Sequence, residues 1–272
     1  MAGEPQAAAM FGTPAAAYDR FMGRYARELA PALVRAASVR AGDRALDVGC
    51  GPGALTAALV GVVGAGRVAA VDPSASFAAA CAARLPGVDV RVAPGEALPF
   101  ADGTFDRVLA QLSVNFMADP PAAAREMARV ARPGGTVAAA VWDYAGAMTL
   151  LRAFWGAAAA LDPAAAAGDE GRSMPHADPA SLRTLWTGAG LTGVEVCPAV
   201  VAAGYDDFDD LWETLQLGVG PAGAYVAALD EGTRAALATE LRRRLPVGGG
   251  RAPFQLTARA WVATATKQGA HR

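Results

Sequence analysis

Lysine is almost missing from this chain: Lys267 is the only one in 272 residues. That absence removes a Tyr-x-x-x-Lys pair for ketone reduction, a well-placed lysine for a Schiff base and a G-x-x-x-x-G-K-[ST] phosphate loop. Histidine is nearly as scarce, with only His176 and His271. Cys50, Cys81 and Cys197 are an odd number without metal-type spacing, which fits a reducing compartment better than a disulfide framework. Charge of one sign is lacking too. With 24 basic and 26 acidic residues and a net charge of −2, the chain has no electrostatic footprint for nucleic acid or an anionic membrane. The longest apolar run, 54–66, stops at Arg67 and is too short to cross a bilayer. The opening MAGEPQAAAMFGT has no positive n-region, so a secretory leader is not expected and a soluble cytoplasmic protein is.

What is abundant is apolar surface, 53% of residues, enough for the core of one large α/β domain with an insert. The chain is organised around Arg44–Gly53, RALDVGCGPG. Ala45–Val48 reads as a buried strand whose end carries Asp47. Gly49, Cys50, Gly51, Pro52 and Gly53 then form a turn that bulky side chains cannot follow, and an apolar helix starts at Ala54. Further on, Arg67–Asp72 reads as a second strand ending in an acid. A carboxylate there can accept both hydroxyl hydrogens of a ribose; it can also cap the helix that Pro73 and Ser74 open. These features alone suit a dinucleotide equally well, because Gly49, Gly51 and Ala54 satisfy G-x-G-x-x-A.

The wider pattern separates the two. Asp47 precedes the first glycine by two residues, and APGEALPF (93–100), TFDRVLAQ (104–111) and EMARVARPGG (126–135) follow in order. Together these segments resemble class I S-adenosylmethionine (SAM)-dependent methyltransferases, in the branch that includes ubiquinone/menaquinone-type and small-molecule enzymes. The resemblance runs from about Tyr18 to Trp142. It implies a Rossmann-like α/β sheet of seven strands, mostly parallel with the last antiparallel, flanked by helices and carrying a helical cap. It implies SAM as cofactor and a small-molecule methyl acceptor. By the same resemblance Tyr18, Met22 and Arg24 touch the methionine end of the cofactor, while Gly95, Glu96 and Ala97 offer backbone groups to adenine. Pro94 stands where the family usually carries an acid, so a side-chain contact to the adenine amine is missing.

In chain order, residues 1–14 read as a disordered lead, 15–43 as a helical lid, 44–203 as the SAM-binding core, 204–252 as a cap, 253–266 as the last core strand and 267–272 as a flexible tail. Tyr18, Phe21, Met22 and Tyr25 share one helix face, which reads equally as core packing. Gly23 suits a hinge, and a second helix is expected after Pro31, ending near Ser38. A third strand spans Val88–Ala93. The fourth, Phe105–Gln111, points its carboxyl end into the crevice, which brings Gln111 to the cofactor and Phe116 to the substrate or to loop packing. Arg132–Gly135 reads as a turn into strand five, Thr136–Trp142. Strands six and seven are placed at Leu191–Val201 and Phe254–Thr264. The roughly fifty residues between them exceed any hairpin and read as a specificity cap. Cofactor contacts are thus placed at Tyr18, Met22, Arg24, Asp47, Gly49, Cys50, Gly51, Gly53, Asp72, Pro73, Gly95, Glu96, Ala97 and Gln111. Substrate contacts are placed at Phe116, His176, Tyr205, Trp212 and Tyr225. Asp206, Asp207, Asp209 and Asp210 read as a helix start rather than a metal site. No catalytic base stands out: His176, Tyr205, Tyr225 and Asp143 are equally open. Three readings follow: a SAM-dependent methyltransferase for a small apolar or aromatic acceptor, an NAD(P)-dependent oxidoreductase, and a non-catalytic SAM-binding protein.

Overall fold

The computed structural model describes residues 15–246 and 252–269. The expected disordered lead (1–14), the triglycine at 248–250 and the last residues of the tail lie outside the described residues. Seven strands form one sheet: β1 (Ala45–Val48), β2 (Val68–Asp72), β3 (Asp89–Val92), β4 (Phe105–Gln111), β5 (Ala131–Trp142), β6 (Leu191–Tyr205) and β7 (Phe254–Lys267). Their spatial order is β3-β2-β1-β4-β5-β7-β6. β1, β2, β3, β4 and β5 pair in parallel, and β7 runs antiparallel to both β5 and β6. The order reverses beside β1: one parallel neighbour leads to β2 and β3, the other to β4 and β5. A crevice therefore opens outside the carboxyl ends of β1 and β4, where such sheets bind ligands.

The central strands are buried on both faces, as β1 and β2 are at every position, because helices cover both sides. α3 (Ala54–Val63) and α4 (Ala75–Arg84) follow β1 and β2, and α5 (Pro120–Val130) follows β4. Asp119 caps α5 by accepting the Ala122 N–H at 2.9 Å, with proline in the first turn, as expected for Asp-Pro at a helix start.

Several boundaries differ from the sequence expectation. α1 (Ala15–Phe21) ends at Met22, and α2 (Gly23–Ala36) runs straight through Pro31. Pro31 is exposed, on the face where losing one hydrogen bond costs least, so burial of Tyr25, Leu29 and Leu33 on the other face outweighs the break. β5 begins at Ala131, so Arg132–Gly135 lies inside an irregular strand: the pairing register shifts opposite Phe105/Arg107. β6 and β7 are 15 and 14 residues long: β6 runs past the expected Val201 to Tyr205, which pairs with Phe254, and β7 starts at Phe254 as expected but runs past Thr264 to Lys267. Their mutual ladder supports the projecting end.

The chain between β5 and β6 forms α6 (Thr149–Leu161), a 3₁₀ turn (Pro163–Gly168), the single-turn α7 (Glu170–Ser173) and α8 (Pro179–Gly188). Between β6 and β7 lie α9 (Phe208–Gln216), α10 (Gly220–Ala228) and α11 (Glu231–Arg244). No helix among the described residues is long and apolar enough to cross a membrane.

Candidate functional site

The glycine turn after β1 takes its shape from backbone requirements. Gly49, Gly51 and Gly53 have φ of 76°, 52° and 98°, a region costly for residues with a Cβ. The Gly49 and Cys50 N–H groups donate to Val71 O at 2.8 and 3.0 Å, and the Gly51 N–H donates to Asp72 Oδ2 at 2.8 Å. Asp72 Oδ1 accepts the Ser74 N–H at 2.9 Å, so each oxygen serves one backbone donor and keeps a lone pair. Both sequence readings of Asp72 are thus geometrically compatible, although the side-chain cap of α4 is Ser74 itself.

This turn forms one wall of a cavity of about 690 Å³, within the ~300–1,000 Å³ range of small-molecule sites. Tyr18, Met22, Asp47, Gly49, Cys50, Gly51, Asp72, Pro73, Pro94, Gly95, Glu96, Gln111 and Phe116 all line it. Leu112, also on the lining, holds a left-handed φ of 59°, a strained conformation of the kind that clusters at functional sites. Glu96 is tied back, accepting the Asp119 N–H at 3.1 Å.

The electrostatics follow from burial. Asp47 is fully buried, and its carboxyl is pushed up to about 8 by desolvation, against the Thr56 hydroxyl that donates to Oδ2 at 2.6 Å. Asp72 is raised for the same reason, opposed by the Gly51 and Ser74 N–H groups. Asp47 Oδ1 and Gln111 Oε1 are buried acceptors without a hydrogen-bond partner, while Gln111 Nε2 donates to Ala26 O at 2.9 Å. Two orphan acceptors beside a carboxylate-ended strand suit a ligand that brings N–H donors.

Other residues named from the sequence stand off the cavity. Gly53 faces Cys81 and Leu85 behind the turn, and the Ala97 N–H closes a turn on Pro94 O at 3.2 Å. Arg24 reaches the cap instead: it donates to both Asp210 oxygens at 2.8 and 2.6 Å and to Gly204 O at 2.8 Å, over the Tyr205 ring. Tyr205 is buried, donating to the Tyr25 hydroxyl at 3.3 Å. Trp212 stacks on Phe208, and Tyr225 packs on Phe154 and Trp155. His176 is half-buried at φ 54°. Asp143 is consumed by Arg259 and the Gly146 and Ala147 N–H groups.

The remaining wall was not anticipated. Trp142 and Tyr144 line it from the end of β5, Leu151 from α6, Glu170 and Met174 from α7 and its exit, and Val219, Gly220 and Pro221 from the start of α10. Trp142 and Tyr144 obey the same carboxyl-end rule that picked out Gln111. Glu170 carries no such signal. The cap contributes little more than the first turn of α10, because its other aromatic residues pack among themselves and against α6.

Residues 46–139 match the model of a family described as a methyltransferase domain. A demethylmenaquinone methyltransferase from Mycolicibacterium vanbaalenii is 43% identical over 119 residues, covering 43% of this chain and 46% of that protein. The matches span less than half the length of the curated relatives. The YcgJ protein of Bacillus subtilis superposes with a TM-score of 0.55 at 16% identity, over 88% of this chain and 98% of that one. Phosphoethanolamine N-methyltransferase 2 of Haemonchus contortus, solved with phosphomonomethylethanolamine and S-adenosylhomocysteine, gives 0.56 at 16% identity over 93% of this chain and 59% of that one. At such identities the likeness is one of fold.

Proposed function

We propose that this chain, built on the SAM-dependent methyltransferase fold with a methyltransferase domain at residues 46–139, transfers a methyl group from SAM to a small, largely apolar or aromatic acceptor. The observation that carries the reading is the pair of orphan acceptors, Asp47 Oδ1 and Gln111 Oε1, in the cavity that Asp72 and the glycine turn border. SAM supplies an electrophilic methyl on a sulfonium. In this reading Asp47 and Gln111 accept from its ammonium, Asp72 holds the ribose hydroxyls with its free lone pairs, and Gly95 lets the ring approach the backbone beyond β3. A Cβ at Gly95 would lie 2.9 Å from Met117 Cε, so a larger residue there would have to displace the Met117 methyl.

The acceptor would then meet Phe116, Trp142, Tyr144, Leu151 and Met174. Methyl transfer is an in-line displacement, so the protein's work is to hold both reactants at ~3–3.5 Å and exclude water. The apolar wall suits both tasks. The M. vanbaalenii relative's quinone-type acceptor belongs to the same broad class and supports the aromatic choice.

Calorimetric titration with S-adenosylhomocysteine (SAH) and, separately, NADH tests the cofactor assignment. We expect binding of SAH and not of NADH, with Asp72→Ala weakening SAH at least about tenfold, the worth of one hydrogen bond to a charged group. Preference for NADH would replace this reading with the oxidoreductase one.

A further inference from the structure

Among the described residues, Glu170 is the one carboxylate on the wall formed by Trp142, Leu151, Met174 and Pro221. Asp19 pairs with Arg84 at 2.5 Å, Asp72 holds the glycine turn, Asp47 is bonded to Thr56, and Glu96 is tied to Asp119. Glu170 is 4% exposed, and among the described residues no cation forms an ion pair with it. Its fixed contact is neutral: Trp155 Nε1 donates to Oε2. Such a group is expensive to bury unless it has a use.

Its placement is held from several sides. Asp169 accepts the Gly171 N–H at 2.8 Å, fixing the start of α7, and is itself clamped by Arg152, whose Nη1 donates at 2.9 Å. Trp155 orients the carboxylate from α6. Across the cavity wall stands Tyr144, fully buried, its hydroxyl accepting from Asn115 Nδ2 at 3.5 Å. The rest of that wall is apolar: Trp142, Leu151, Met174 and Pro221. A proton acceptor in an apolar pocket, beside the place assigned to the methyl acceptor, is the arrangement a protic nucleophile requires.

Resting on the methyl-transfer reading, we infer that Glu170 is the catalytic base of this site and that the acceptor is a molecule whose nucleophilic atom carries an O–H or N–H proton to lose. The X–H bond breaks and its proton passes to a Glu170 oxygen. The freed pair forms the X–C bond as the C–S bond breaks and its electrons return to sulfur, leaving a neutral thioether and a protonated Glu170. Product release returns the proton to water.

The groups facing Glu170 set its titration. Burial raises the carboxyl to about 7, its own backbone N–H, the Trp155 hydrogen bond and Arg152 oppose that, and Asp169 adds to it. Tyr144 is itself raised by burial and then by Glu170, so it stays protonated and does not compete as base. The ionised, active form of Glu170 therefore grows as pH rises through about 7.

The test compares wild type, Glu170→Gln and Glu170→Asp in the full chain. Glutamine keeps an oxygen for Trp155, so folding and SAH binding should be unchanged. Infrared difference titration of the SAH complex should show a carboxyl midpoint near 7 that vanishes in E170Q. With SAM and panels of 4-substituted phenols and anilines, wild-type kcat/KM should rise with pH to a plateau above that midpoint. E170Q should be about 10²-fold slower or worse with 4-methoxyphenol, yet within about tenfold of wild type with 4-nitrophenol, which ionises without help. E170D, with its carboxylate withdrawn, should fall between. The inference is overturned if the carboxyl is ionised by pH 5, if E170Q matches wild type across the panel, or if wild type binds SAH but methylates neither phenols nor anilines. A wild type that binds no SAH instead removes the methyl-transfer reading on which the inference stands.

Discussion

Gly49 shows how tightly one residue can be specified. A Cβ there would fall 2.4 Å from Ser113 Cβ, at a backbone φ of 76°, so alanine meets both a steric and a conformational penalty. At Gly51 the same Cβ would meet nothing within 4 Å although φ is 52°, leaving the backbone penalty alone. Gly49→Ala should therefore lose roughly 2–4 kcal/mol of stability and Gly51→Ala only about 1–2 kcal/mol, read from urea midpoints at constant slope. Equal losses would show that Ser113 yields freely, and the turn's fit against the loop after β4 would then matter less than its dihedrals. This difference was hidden in the sequence, where both glycines read alike; the need for glycine was visible, the neighbour was not. That Asp47 and Asp72 line the cavity was legible for a related reason. Their positions depend on short-range spacing from a turn that the chain itself announces, whereas that of Glu170 depends on how thirty residues of Ala-, Pro- and Gly-rich chain come to rest against α6.

At the level of elements, the two lid helices are fastened to the cap by charge rather than by apolar packing alone. Arg24 on α2 meets Asp210 on α9 through two bonds, with side chains 22% and 18% exposed, and Arg20 reaches Glu213 at 2.9 Å in a much more open setting. The family resemblance assigns Arg24 to the cofactor. The partner that claims it lies 186 residues further on, a distance at which no local pattern operates. The same long range explains the cap: its aromatics read as substrate contacts by composition, but Tyr205, Trp212 and Tyr225 find protein partners once α9 and α10 fold back. A double-mutant cycle of Arg24→Met and Asp210→Asn should give a coupling of about 1–2 kcal/mol, since the pair is bidentate and mostly shielded. The matching cycle for Arg20 and Glu213 should give no more than about 0.5 kcal/mol and vanish in molar salt. Coupling near zero for the first pair would mean that lid and cap are joined by the apolar contacts around Phe208 and Phe21 instead.

For the molecule as a whole, buried acids set opposing limits on stability. Carboxylates held by arginines, such as Glu126 beside Arg129 and Asp210 beside Arg24, sit below their usual range. Their contribution is present above the unfolded values and is lost as pH falls through the folded ones. Asp47 and Glu170 work the other way, at about 8 and about 7. In the folded state they hold protons that the unfolded chain has already released, so their contribution is complete in acid below about pH 4 and is lost as pH rises through 7 and 8. Free protein should therefore be most stable near pH 5 and lose stability steadily as pH rises towards 8, read as a falling Tm across that range. A cationic ligand reverses this for Asp47. If an ammonium takes the orphan Oδ1, ionisation of that carboxylate becomes favourable in the complex, and the ligand gains affinity as the pH removes its competing proton. The rise in Tm produced by a fixed excess of SAH should accordingly be larger at pH 8.5 than at pH 6. Asp47→Asn should both flatten the alkaline decline of the free protein and abolish the pH dependence of the SAH-induced rise. A rise that is the same at both pH values in wild type would mean that Asp47 keeps its proton in the complex and serves the glycine turn rather than the ammonium.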